Sequence, residues 1–154
     1  MTETMIRFAI AGCGMISQTH LKALRDIEDA GLAGVFDTDR TAAAQTAATW
    51  NTKQYASYQQ LLEDPEADAV CICTPSFLHA EMARQALLHG KHVLVEKPLA
   101  LNTQDCDMLI ALAQQKKLQL GVVSQLRFSQ AVQQVRQALA KGVLGRLTRA
   151  DLYM

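Results

Sequence analysis

The chain lacks any surplus of charge. Its 15 Lys and Arg offset 15 Asp and Glu over 154 residues, for a formal net charge of +0. The basic residues are scattered, so nothing marks a surface for nucleic acid or an anionic membrane. No run reaches the 18 or so apolar residues of a membrane-spanning helix. Residues 1–5 lack the basic and apolar pattern of a secretory signal, and a cytoplasmic location is the expectation. With 8 Gly and 3 Pro there is no low-complexity tract, linker or solenoid-period repeat. Cysteine is sparse as well: Cys13, Cys71, Cys73 and Cys106. They form no Cys-x-x-Cys pair and no His-x-x-x-His accompanies them, so no metal site is expected and reduced thiols are the default.

What is present is a globular composition, 49% hydrophobic, long enough for one domain with its own core. Apolar runs alternate with helical patterns. The spacing predicts strands at 6–11, 32–36, 53–56, 69–73, 92–96 and 118–123. Helices are predicted at 17–29, 38–50, from 57 to about 64, 77–89, 103–116 and 129–141. That alternation predicts an α/β fold, a doubly wound parallel sheet with helices on both faces. Residues 147–154 read as the start of a further strand. The boundary falls at the turn from Gly142 to Gly145, giving one domain over 1–145 and the start of a second domain over 146–154.

Gly12-Cys13-Gly14-Met15-Ile16-Ser17 follows the first strand and opens the first helix. Gly12 permits the tight turn, and Gly14 lets a pyrophosphate approach the backbone. The helix start, at Met15 and Ile16, offers free amides and partial positive charge. Ser17 replaces the third glycine and is still small enough for close helix–strand packing. Asp37 ends the second strand 23 residues after Gly14, near the spacing of about 20 expected for the acid that binds the adenosine ribose. Its charge favours NAD over NADP, although Arg40 could meet a 2′-phosphate. As an alternative, Asp37 is an ordinary helix cap. Thr74 and Pro75 follow the fourth predicted strand, on the sheet edge where such ligands gather. Glu96-Lys97-Pro98 ends the fifth. There a lysine can stabilise or exchange a proton with the oxygen of a substrate lying on the nicotinamide, with Glu96 holding it in place; a surface ion pair is the plainer reading.

These residues, with His20, Cys73-Thr74-Pro75-Ser76, Leu78-His79-Ala80-Glu81 and the run from Gly90 to Ala100, resemble the N-terminal domain of the glucose–fructose oxidoreductase/inositol dehydrogenase family (Gfo/Idh/MocA). The likeness runs nearly end to end, with Arg127-Phe128 and Gly142-Val143-Leu144-Gly145-Arg146 leading toward the family's second domain. The resemblance implies that Gly12, Gly14, Asp37, Thr74 and Glu96 line NAD(P) and that Lys97 is the catalytic-site lysine. It places Gln125 where nicotinamide or substrate is met, and His79 matches a family histidine; with Met15, Ile16, Arg40 and Pro75, read above from the residues themselves, these complete the candidate cofactor-binding set. As to their physics, His20, His79, His89 and His92 read as packed histidines. The resemblance further implies a sugar or polyol substrate, a homo-oligomer at full length, and an α+β substrate domain beyond residue 150 that these 154 residues do not contain. A non-catalytic NAD(P)-binding regulatory or sensing module is the competing reading, since one fold hosts both jobs.

Overall fold

The structure is a computed structural model that describes residues 5–151. Five parallel strands form one sheet: β1 (Ile6–Ala11), β2 (Ala30–Phe36), β3 (Ala69–Ile72), β4 (His92–Val95) and β5 (Leu120–Val122), in the order β2-β1-β3-β4-β5. The chain leaves β1 toward one edge to make β2, then returns past β1 to make β3. The order therefore reverses between β1 and β3, and a crevice opens there at the carboxyl ends of the strands.

Among the described residues, five α-helices accompany the sheet, α1 (Met15–Arg25), α2 (Arg40–Thr49), α3 (Tyr58–Glu63), α4 (His79–Leu88) and α5 (Thr103–Lys116), and α6 (Gln130–Ala140) follows later in the chain. Strand side chains alternate between faces. Ala9, Ala11, Val70, Ile72, Val93 and Val95 pack with Leu61 and Leu62 of α3, Leu87 of α4 and Leu109 of α5. Ile10, Val35, Cys71 and Cys73 pack on the opposite face with Leu21 of α1 and Ala43 and Ala47 of α2. Both faces are covered, which is why the inner strands read as unbroken apolar runs. β3, the innermost, is buried at every residue.

The chain divides into two compact units, one up to Val123 and one from Ser124 onward. The first holds the whole sheet and α1–α5. The second holds a 3-10 turn (Gln125–Phe128), α6 and the turn at Gly142 and Gly145, both with positive φ. Ser129 caps α6, its hydroxyl accepting from the Val132 amide at 3.4 Å.

Several predicted elements change. The strand at 53–56 shrinks to a single bridge between Gln54 and Val35. Tyr55 turns inward instead, and its hydroxyl donates to Asp64 at 2.7 Å. α1 starts two residues before the predicted 17 because Gly14, extended at φ −74°, serves as its N-cap, and it ends at Arg25 rather than 29. The helix predicted at 77–89 is a 3-10 turn (Ser76–Leu78) followed by α4, which places His79 at the first position of the α-helix. Residues 147–151 form no strand, for a strand requires a neighbour to pair with; residues 152–154 of that expectation lie outside the described residues.

Candidate functional site

A cavity of about 470 Å³ lies at the switch point between β1 and β3, within the usual range for a small-molecule site. Gly12, Gly14, Met15, Ile16, Asp37, Thr74 and Pro75 all line it, joined by Phe36, Thr38, Cys73, Leu78 and Met82. Three strands thus contribute through the turns at their carboxyl ends.

The glycine turn owes its form to two different demands. Gly12 sits at φ +98°, a region costly to any residue with a Cβ. A Cβ there would also stand 2.7 Å from the Cys73 carbonyl oxygen, so β1 and β3 approach closely only because the side chain is absent. Gly14 has an ordinary φ, and a Cβ on it would meet nothing within 4 Å. Its missing side chain serves the cavity rather than the fold.

No side chain caps the N-terminus of α1, whereas Asp39, Ser57, Asn102 and Ser129 cap α2, α3, α5 and α6. The leading amides of α1 are left to an external acceptor at the positive end of the helix dipole. Ser17 is fully buried and donates its hydroxyl proton to the Gly14 carbonyl at 2.6 Å, which explains how serine fits the third glycine position.

Asp37 is not the helix cap. Asp39 fills that role, accepting from the Thr41 and Ala42 amides at 2.9 and 3.1 Å. Asp37 Oδ2 instead accepts from the Cys13 amide at 2.7 Å, and Oδ1 from the Asp39 amide at 2.8 Å. The carboxylate pins the glycine turn to the end of β2 while remaining on the cavity wall. The described donor set fits a dinucleotide: uncapped helix amides for the diphosphate, a carboxylate beyond them for ribose hydroxyls.

Other predicted site residues lie elsewhere. Arg40 is exposed at the start of α2 and does not line the cavity. His79 is 1% exposed. Its ring sits between two carbonyl oxygens, with Nε2 2.9 Å from that of Thr74 and Nδ1 2.6 Å from that of Pro98. It therefore ties the turn after β3 to the Glu96-Lys97-Pro98 turn and acts on the site through both. Glu96 is 8% exposed; Oε1 meets His20 Nε2 at 2.8 Å and Oε2 accepts from the Lys97 amide at 3.3 Å. Lys97 is exposed on the same sheet edge, and its peptide bond to Pro98 is cis. Gln125 belongs to the second unit, exposed at the start of its 3-10 turn.

His20, expected to be a packing residue, has a larger part. It joins α1 to the end of β4 through Glu96 and faces Cys71 and Cys73 on β3 and just beyond it. The neighbouring Cys71 sulfur and the Glu96 carboxylate push its ring up to about 9 against the effect of burial. Cys71 is drawn down by the hydrogen-bonding Cys73 thiol and by His20 against the effect of burial, and Cys73 is raised in turn by Cys71 and by burial. Cys13, shut into the glycine turn, is pushed up to about 11 chiefly by burial. Loop-type metal-ligand spacings do not contain the His20–Cys71–Cys73 group, because two residues apart on a strand is a shared face, not a loop motif.

The parallel sheet, the switch-point cavity and the uncapped glycine turn together define a dinucleotide-binding Rossmann domain. The sequence model of the Gfo/Idh/MocA family, described as an oxidoreductase family with an NAD-binding Rossmann fold, matches residues 6–124. The chain belongs to that family, and the domain is an NAD-binding one. Among curated relatives, a UDP-N-acetylglucosamine 3-dehydrogenase of Acidithiobacillus ferrooxidans is 37% identical over 133 residues, 86% of this chain and 41% of the relative. An NADP(+)-linked scyllo-inositol 2-dehydrogenase of Bacillus subtilis is 34% identical over 146 residues, 94% of this chain and 44% of the relative. Among solved structures, the WlbA dehydrogenase of Bordetella pertussis, in complex with NADH and UDP-GlcNAcA, superposes with a TM-score of 0.90 at 33% identity, covering 95% of this chain and 44% of that one. The chain thus spans less than half the length of these relatives. Among the described residues no helix is long and apolar enough to cross a membrane.

Proposed function

We propose that this chain is the cofactor domain of an NAD(H)-dependent oxidoreductase acting on a CH–OH group of a sugar, polyol or related hydroxy compound. The observation that carries the reading is the cavity in which uncapped α1 amides and Asp37 share one wall, on the sheet edge that also bears Lys97. When bound, the nicotinamide accepts or supplies the hydride. The amides of Met15 and Ile16 hold the diphosphate, with Gly12 and Gly14 keeping the approach clear. Asp37 accepts from the ribose hydroxyls, and its negative charge repels a 2′-phosphate. The position of Arg40 off the cavity wall supports the same preference for NAD over NADP. Thr74 and Pro75 line the same cavity at the end of β3.

Lys97 stabilises the negative charge that grows on the substrate oxygen and exchanges a proton there. Glu96 accepts from the Lys97 amide and so orients the turn that carries it. His79 steadies that turn from behind through Pro98. Sugar substrates among the relatives support this substrate class, and a homo-oligomer is the assembly we propose for the protein that carries the domain.

Two measurements test the proposal. Calorimetry of this chain with NADH should show one site per chain, and the absence of binding by a folded sample ends the reading. In the protein that carries this domain, Lys97→Met should lower turnover at least about a hundredfold with NADH affinity intact. Unchanged turnover in that variant overturns the role of Lys97, whereas NADH binding with no turnover in the unmutated protein favours a binding-only sensor, the other job this fold supports.

A further inference from the structure

A second constellation lies outside the cofactor cavity's binding groups. Cys71 and Cys73 alternate along β3 and its exit, so both sulfurs emerge on the face covered by α1 and α2. They stand 3.7 Å apart. His20 reaches them from the middle of α1, and one ligand atom from each of the three lies within 4.8 Å of the others. Both cysteines are nearly or fully buried, at 1% and 7% exposure.

From this juxtaposition we propose that His20, Cys71 and Cys73 form a site for a zinc-class divalent cation, with Glu96 as the neighbouring carboxylate. Two thiolates bound to one tetrahedral ion at about 2.3 Å each must sit about 3.8 Å apart, and the observed separation of the sulfurs meets that requirement. Two sulfurs and an imidazole are a donor set that selects zinc over magnesium or calcium. Glu96 Oε1, 2.8 Å from His20 Nε2, lies outside the three-residue group and is placed to orient the ring as a neighbouring carboxylate. A smaller cavity of about 130 Å³, with Phe8, Leu24 and Leu94 in its walls, abuts His20 and Cys71 and offers a path inward. Cys73 also lines the cofactor cavity, so the constellation lies between the two. Binding requires both cysteines as thiolates and the His20 imidazole neutral, so metal uptake releases to solvent whatever protons these three groups still carry. Cys106, on α5, takes no part.

The test is titration of the reduced 154-residue chain with Co²⁺ as a spectroscopic substitute. One equivalent should give thiolate-to-metal charge-transfer absorption and the intense visible bands of tetrahedral cobalt, both displaced by Zn²⁺. His20→Gln, Cys71→Ser and Cys73→Ser should each weaken binding at least about tenfold, and Cys106→Ser should not. X-ray absorption of the zinc-loaded wild-type chain reads the ligands directly, even where a variant does not fold: two sulfurs and one or two light ligands are expected. Absence of a stoichiometric charge-transfer band, its survival in the Cys71→Ser/Cys73→Ser double variant, or a zinc shell without sulfur overturns the assignment.

Discussion

Alanine at Gly12 and alanine at Gly14 should fail in opposite ways. At Gly12 the backbone holds φ +98°, which costs a residue with a Cβ about 1–2 kcal/mol. The new methyl group also lies 2.7 and 2.8 Å from the Cys73 carbonyl oxygen and carbon. Those atoms belong to the backbone leaving the buried strand β3, so they cannot swing aside, and relief by shifting costs about 1–3 kcal/mol more. Gly12→Ala should therefore lose about 2–5 kcal/mol, a large part of the ~5–15 kcal/mol that holds a domain together. For a chain of this size Tm should fall by roughly 5–20 °C. At Gly14 the φ of −74° suits alanine and the methyl group meets nothing within 4 Å. Stability should change by no more than about 1 kcal/mol, the scale of an N-cap change. The methyl group does, however, enter the space that a diphosphate must fill, so NADH affinity should drop at least about tenfold, or ~1.4 kcal/mol. Thermal unfolding by circular dichroism reads the first quantity, and calorimetric NADH titration well below either Tm reads the second. A Gly12→Ala variant with wild-type Tm refutes the close-approach argument. Wild-type NADH affinity in Gly14→Ala refutes the cradle.

Two further outcomes follow from the charged groups. Asp37→Ser should raise the NADP-to-NAD affinity ratio at least about tenfold in paired titrations, while loss of the charge-assisted bond to the Cys13 amide lowers stability by about 1.5–3 kcal/mol; an unchanged cofactor ratio refutes the ribose role. Burial would raise Asp64, but the Lys53 ammonium, the Tyr55 hydroxyl and the Glu66 amide outweigh it and hold the carboxyl down at about 2. Because the folded value lies below the usual 3.8, this contribution is present above pH 4 and lost as pH falls toward 2. Asp64→Asn should cost ~1 kcal/mol at pH 7 after solvent screening, and the difference from wild type should vanish near pH 2 in urea titrations. A difference that persists there refutes the ion-pair account.

The amino-acid order by itself determined the alternation of strands and helices, the glycine turn and the acid ending β2, because each is a short-range pattern. An apolar run such as Ala69–Ile72, an uninterrupted helical stretch such as 103–116 and two glycines around Cys13 all act within a few residues of themselves. The competing reading of Asp37 as a cap was decided only by the tertiary structure, which brings its carboxylate to the Cys13 amide 24 positions away and leaves capping to Asp39. The same holds for His20 and Glu96, 76 positions apart, which meet because α1 packs across the sheet toward the end of β4. His79, a candidate cofactor residue by resemblance and a packed histidine by its physics, has its ring delivered to the Thr74 and Pro98 carbonyl oxygens by the 3-10 turn ahead of α4. The strand expected at 53–56 failed for the complementary reason: a local β pattern becomes a strand only where a neighbour has free backbone groups to pair with, and Val35 supplies one residue's worth. Local sequence sets what each segment can be; which side chains meet depends on strand order and helix placement, quantities that no short window contains.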